Sequence, residues 1–224
     1  MDKSNIRIIG EGSSSGGDYE KVKVVGEADF YGDLRCETLK ITGEVCVQGT
    51  LNAEEVKVTG TLRLKNGGPA AGSAEPLLSA DDAAEAAPGI RAESVKITGE
   101  LTLPGSCEAE EFKLRGRIEA GGVLSAEDIN IKLHGASRVK EMGGTNITVK
   151  GATSVPFGAL LQMGLGKLQA GLIEGDDIYL ENTEADSVRG MRVEIGPGCR
   201  IGTVEYRDKL EVDSTSQVQS EHRV

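Results

Sequence analysis

A pentapeptide ending in glycine returns along this chain at near-constant spacing: VKVVG ends at Gly26, LKITG at Gly43, VKVTG at Gly60 and VKITG at Gly99. FKLRG at Gly116, IKLHG at Gly135 and ITVKG at Gly151 continue the series. Gly26, Gly43 and Gly60 stand 17 residues apart, as do Gly99 and Gly116, and the next two steps are 19 and 16. A period this short leaves no room for a pair of helices. Its interior alternates apolar and polar residues, the pattern of short strands with one face buried.

Apolar residues fall four and two positions before each anchor glycine, as Leu39 and Ile41, Val56 and Val58, or Val95 and Ile97. Others fall two and four positions after it, as Val45 and Val47 or Leu62 and Leu64. Six positions after the anchor comes Gly32, Gly49, Asn66, Gly105 or Gly122, and beyond it a third short strand opens with Leu34, Leu51, Cys107 or Leu124. Each repeat thus carries three pairs of inward teeth separated by corners where Gly or Asn takes a backbone conformation other residues resist. A chain that turns three times in about 17 residues is expected to form a triangular parallel β-helix, an all-β solenoid whose rungs stack about 4.8 Å apart. With Gly at 31 of 224 residues, aromatics at 3% and no Trp, small and β-branched side chains must fill this core.

Two charged ladders follow the same period on outward positions. Lys23, Lys40, Lys57, Lys96, Lys113 and Lys132 lie three before the anchor, and Glu20, Glu37, Glu54, Glu93 and Glu110 lie six before it. They read as a solvated surface, or as a device for lateral attraction between rods or for holding rung register.

The repeat is interrupted twice. Residues from about 65 to 90 are rich in Gly, Ala, Ser, Pro and acid and read as a flexible loop thrown from one corner. Residues 155–172 are apolar and read as a capping segment or a contact patch, with Phe157, Leu160, Leu161 and Leu165 the candidate contacts for a partner. Alternation resumes after it, so 1–212 reads as one solenoid domain and 213–224 as a polar C-terminal tail that frays.

Nothing in the chain reads as catalytic chemistry. The two histidines, His134 and His222, are far apart, and a zinc site needs about three converging ligands. The cysteines Cys36, Cys46, Cys107 and Cys199 lack metal-ligand spacing and fit reduced thiols, Cys36 and Cys107 as inward filler and Cys46 outward. Glu174, Asp176 and Asp177 form the densest acidic group and read as a loop. No catalytic residue, metal or cofactor is therefore expected. The net charge of -11 weighs against nucleic acid and against direct membrane association. The N-terminus has no apolar stretch of the signal-peptide kind, which makes a cytoplasmic location the expectation.

The rungs with VKVTG and VKITG, the opening GSSSGGDYEKVKVVG, and the stretch EGDDIYLENT followed by VRGMRVEIGPGCRIGTVEY resemble the bactofilins, polymer-forming cytoskeletal proteins, in their longer Gram-positive form. The resemblance runs from Ile6 to Val212 and departs from the common pattern in its two insertions, its extra rungs and its lack of a short apolar N-terminal segment. It implies a right-handed β-helix that assembles end to end into non-polar filaments without nucleotide. It further implies a bacterial cytoplasmic scaffold for cell shape, with itself and other cytoskeletal or envelope-associated proteins as partners. Unpaired strand edges at the first and last rungs make Ile6, Ile8, Leu210 and Val212 the candidate self-association residues. The competing readings are an adaptor that binds a protein through 155–172 and a β-helix enzyme of carbohydrate or acyl transfer.

Overall fold

The computed structural model describes residues 4–66, 87–151 and 166–224. It is a parallel β-solenoid. The strands are β1 (Ser4–Gln48), β2 (Leu51–Leu64), β3 (Ile90–Leu103), β4 (Cys107–Leu133), β5 (Ala136–Gly151), β6 (Lys167–Leu180), β7 (Thr183–Ile195), β8 (Arg200–Val212) and β9 (Gln217–Arg223). They form a single sheet in sequence order, each hydrogen-bonded in parallel to the next. The expected period sets the register: Leu34 pairs with Leu51 and Ile90 with Cys107, while Leu51 pairs with Ile90 across the first insertion.

The teeth point inward as the alternation requires. Val56, Leu62, Val95, Leu101, Phe112 and Ile118 are fully buried, and the buried apolar residues form one continuous core along the rod. Burying each such side chain contributes roughly 1.5–3 kcal/mol. No rung closes a core alone, so this stabilisation exists only between neighbours.

The anchor glycines stack as a corner column. Gly60 has φ +128°, and a Cβ built there would overlap the carbonyl oxygen of Gly43 on the rung before it. Gly26, Gly43, Gly99 and Gly116 repeat that contact with Gly10, Gly26, Gly60 and Gly99 respectively. Gly10 therefore anchors a rung of its own, one the spacing from Gly26 also announces through IRIIG. At the same corner further along, Asn182 has φ +48°, in keeping with the tolerance of Asn for this conformation.

Three sequence expectations need correction. Gly135 is not a member of the corner column: His134 N–H donates to Gly116 O at 2.8 Å, and Leu133 pairs with Gly151, so Leu133 occupies the corner. The extra residues enter just after it, where the buried Ser137 hydroxyl accepts from Ile118 N–H at 3.2 Å. Beyond Lys113 the column consequently carries Asn130, which pairs with Thr148, and Lys132 moves across the face to stand beyond Arg115. Secondly, the apolar interruption ends earlier than 172. Lys167 already pairs with Ala136 and Leu172 with Glu141. Thirdly, 213–224 is not a frayed tail. Its residues are polar as expected, but β9 continues the solenoid with Ile201 paired to Val218 and Val204 to Glu221.

Candidate functional site

The described surface offers three features that could do work: the two terminal rungs, the charged ladders, and a cluster around Tyr179. At the first described rung, Ile6 and Ile8 are half-buried and pack against the core, while Ile9 is 65% exposed. A Cβ at Gly10 would meet nothing within 4 Å, unlike those of the corner glycines above it. Among the described residues nothing stacks on that edge. At the other end, Leu210 is half-buried and Val212 is 38% exposed. Sequence reasoning missed β9, which stacks on Arg200–Tyr206 and places Glu221 over the inward slot of the fully buried Val204. A charge in an inward slot is one of the ways proteins blunt a sheet edge. The two ends are thus chemically unlike, the first offering Ile6 and Ile8 before its corner with Gly12 and Ser14 after it, the last carrying a charge at Glu221.

The lysine ladder is real over four consecutive rungs, with Lys40 paired to Lys57, Lys57 to Lys96, and Lys96 to Lys113. Its continuation, as noted, steps sideways to Arg115 and Lys132. Within the chain the lysines turn to the acids of the adjacent column: Lys57 Nζ lies 2.6 Å from Glu55, Lys96 reaches 2.8 Å across to Glu111 on the next rung, and Lys113 pairs with Glu111 as well. The two ammonium groups, Lys113 first and Lys96 second, hold the Glu111 carboxyl down to about 2. The glutamate ladder occupies the neighbouring corner, where Glu54, Glu93, Glu110 and Glu127 are exposed.

Elsewhere on the rod several charges meet an opposite charge on the next rung, although Lys132 stacks on Lys150, Arg192 on Lys209 and Glu194 on Glu211. Glu100 pairs with Arg117 on the next rung, and Arg189 with Glu205 at 3.0 Å. Asp177, expected in a loop, lies in β6 and makes a two-pronged pair with Arg192 of β7, which lowers its pKa. Glu174 sits beside Arg189 on the paired strand. The acidic group is therefore built into the sheet. Among the described residues no three His, Cys, Asp or Glu side chains converge as a metal site.

Around Tyr179 the hydroxyl donates to Glu181 Oε1 at 2.6 Å, and Glu181 Oε2 accepts from Gly151 N–H at 2.9 Å. The Lys150 ammonium stands 5.3 Å from the ring centre. This hydrogen bond, with burial added, pushes the phenol up to about 12. The group staples the corner at Gly151. Phe157, Leu160, Leu161 and Leu165 lie outside the described residues. His134 is exposed in the turn after β4, and His222 pairs with Glu205 in the last strand. Cys36, Cys107 and Cys199 are buried and Cys46 is half-buried. No helix among the described residues is long and apolar enough to cross a membrane.

Over 104 residues the chain is 48% identical to the uncharacterized protein YhbF of Bacillus subtilis (strain 168), and over 103 residues 41% identical to YhbE of the same strain, likewise uncharacterized. The matched stretches take in 46% and 44% of this chain and 42% of each relative, so the chain spans less than half the length of the curated relatives it matches. No family model and no solved structure matches it.

Proposed function

We propose that this chain is a non-enzymatic scaffold of the bactofilin kind, which assembles end to end into filaments without bound nucleotide and positions other proteins along them in the bacterial cytoplasm. The single observation that carries the reading is the open rung at Ile6–Gly10. Among the described residues it is an unpaired parallel edge, with Ile6, Ile8 and Gly10 in the tooth and corner slots that Leu39, Ile41 and Gly43 take further along and with Ile9 65% exposed. A second molecule's terminal rung can satisfy those backbone groups and cover those side chains, which is the way solenoid rungs already stabilise one another. Sequence resemblance supports the same conclusion.

The test is electron microscopy and sedimentation of the full chain beside Ile8→Glu and Val212→Glu. Filaments are expected from the parent. Ile8→Glu should shorten them strongly, and Val212→Glu should do so less, because Glu221 already makes that end partly polar. A parent that stays a single monomer across protein and salt concentration overturns the proposal.

A further inference from the structure

We infer that the lysine face and the glutamate corner form one lateral interface, through which a second copy of this chain lies alongside in parallel orientation. Several charged columns on the rod are neutralised from one rung to the next, as Glu100 with Arg117 and Asp177 with Arg192. These two ladders run longer as like charge than the single steps of Lys132 on Lys150, Arg192 on Lys209 and Glu194 on Glu211. Each stacks like charge on like charge at a rung spacing of about 4.8 Å, which costs energy unless opposite charge lies alongside. The internal acids that serve the lysines, Glu55 and Glu111, belong to the column between the ladders, and the corner residues Glu54, Glu93 and Glu110 stand exposed beside them.

Symmetry then selects the arrangement. Two rods related by a two-fold axis parallel to their length set the lysine column of each against the glutamate ladder of the other, twice over and on the same rung, so that Lys57 meets Glu54 and Lys96 meets Glu93. Two rods packed face to face with one reversed set lysine against lysine. The parallel pair is therefore favoured and the reversed pair opposed. A nucleic acid or anionic lipid surface fits less well, because the exposed glutamates bordering the lysines would be driven against it. Exposed ion pairs contribute at most about 1 kcal/mol each, so the interface depends on many rungs acting together and on low salt.

This interface acts across the rod and the proposed filament contact acts along it, so width reports the one and length the other. Two variants of the full chain test it: Lys57→Glu/Lys96→Glu/Lys113→Glu and Glu54→Lys/Glu93→Lys/Glu110→Lys, each checked for native strand content by circular dichroism. At 0.1 M salt the parent should run as paired rods. Each variant alone should run as single rods, and an equal mixture of the two should recover pairs. Raising salt to 1 M, where the screening length falls from about 10 Å to about 3 Å, should dissolve the parent pairs. Carbodiimide cross-linking of isotopically light and heavy parent chains should join Lys57 of one to Glu54 of another. Variants that still pair alone, a mixture that stays single, or inter-chain links between opposite ends of the rods would each overturn the inference. Loss of filament length with pairs intact would instead count against the end-to-end reading.

Discussion

Replacing Gly60 by Ala isolates the contact on which the rung stacking depends. Gly60 has φ +128°, a conformation almost confined to glycine, and the added Cβ would overlap Gly43 O and lie 2.9 Å from the Gly43 carbonyl carbon. Carbon atoms in contact take about 3.5–4.0 Å. The backbone strain costs about 1–3 kcal/mol, and forcing the two rungs apart costs about 1–3 kcal/mol more, the usual range for overpacking. Gly10→Ala is the internal control, because Gly10 also has positive φ, at +87°, but meets nothing within 4 Å. It bears only the strain. The expected losses are therefore about 4 kcal/mol for Gly60→Ala and about 2 kcal/mol for Gly10→Ala. Urea unfolding followed by circular dichroism reads the difference, since with a slope of about 3 kcal/mol/M the first variant should lose more than 1 M from its midpoint. Hydrogen exchange should speed at Val45 and Leu62, paired on the two rungs just past the corner. Equal losses in the two variants would refute the reasoning, for they would leave rung-to-rung overlap with no share of the cost.

Two other measurements probe side chains. In a spectrophotometric titration, Tyr179 should ionise near 12, later than an unperturbed phenol, and Glu181→Gln should bring it down. Because its folded pKa is raised, its stabilising contribution is complete below about pH 10 and is lost as pH rises through about 12. Burial pushes the Cys107 thiol up to about 12, so at pH 8 a thiol reagent should modify the half-buried Cys46 in the native protein and reach Cys107 only after unfolding. Rapid native labelling of Cys107 would contradict its fully buried position.

The terminal contacts were partly legible beforehand. Ile6 and Ile8 could be placed at an end because they occupy the same two slots before Gly10 that Leu39 and Ile41 occupy before Gly43. The ladders were equally visible as a period. What spacing hid was the blunted far end, since Glu221 is an unremarkable polar residue until Val204 is found beneath it. The pairing of Asp177 with Arg192 was hidden for the same reason, as a contact between rungs separated by an irregular step.

The sequence by itself determined the all-β solenoid, the inward teeth and the glycine corners, because alternation and turn chemistry are local and each rung repeats them. Only the tertiary structure decided which rung residues meet. Gly135 matches the earlier anchors in every local respect, yet Leu133 takes the corner. The two choices differ by two residues, and a shift of two leaves every side chain on the face where it began. Inward and outward are therefore fixed by the pattern along the chain, while the neighbour above and below is fixed by hydrogen bonds between rungs. The same division holds for charge. A net charge of -11 was read as a property of the whole surface, and the stacked register gathered lysines onto one face and glutamates onto the corner beside it.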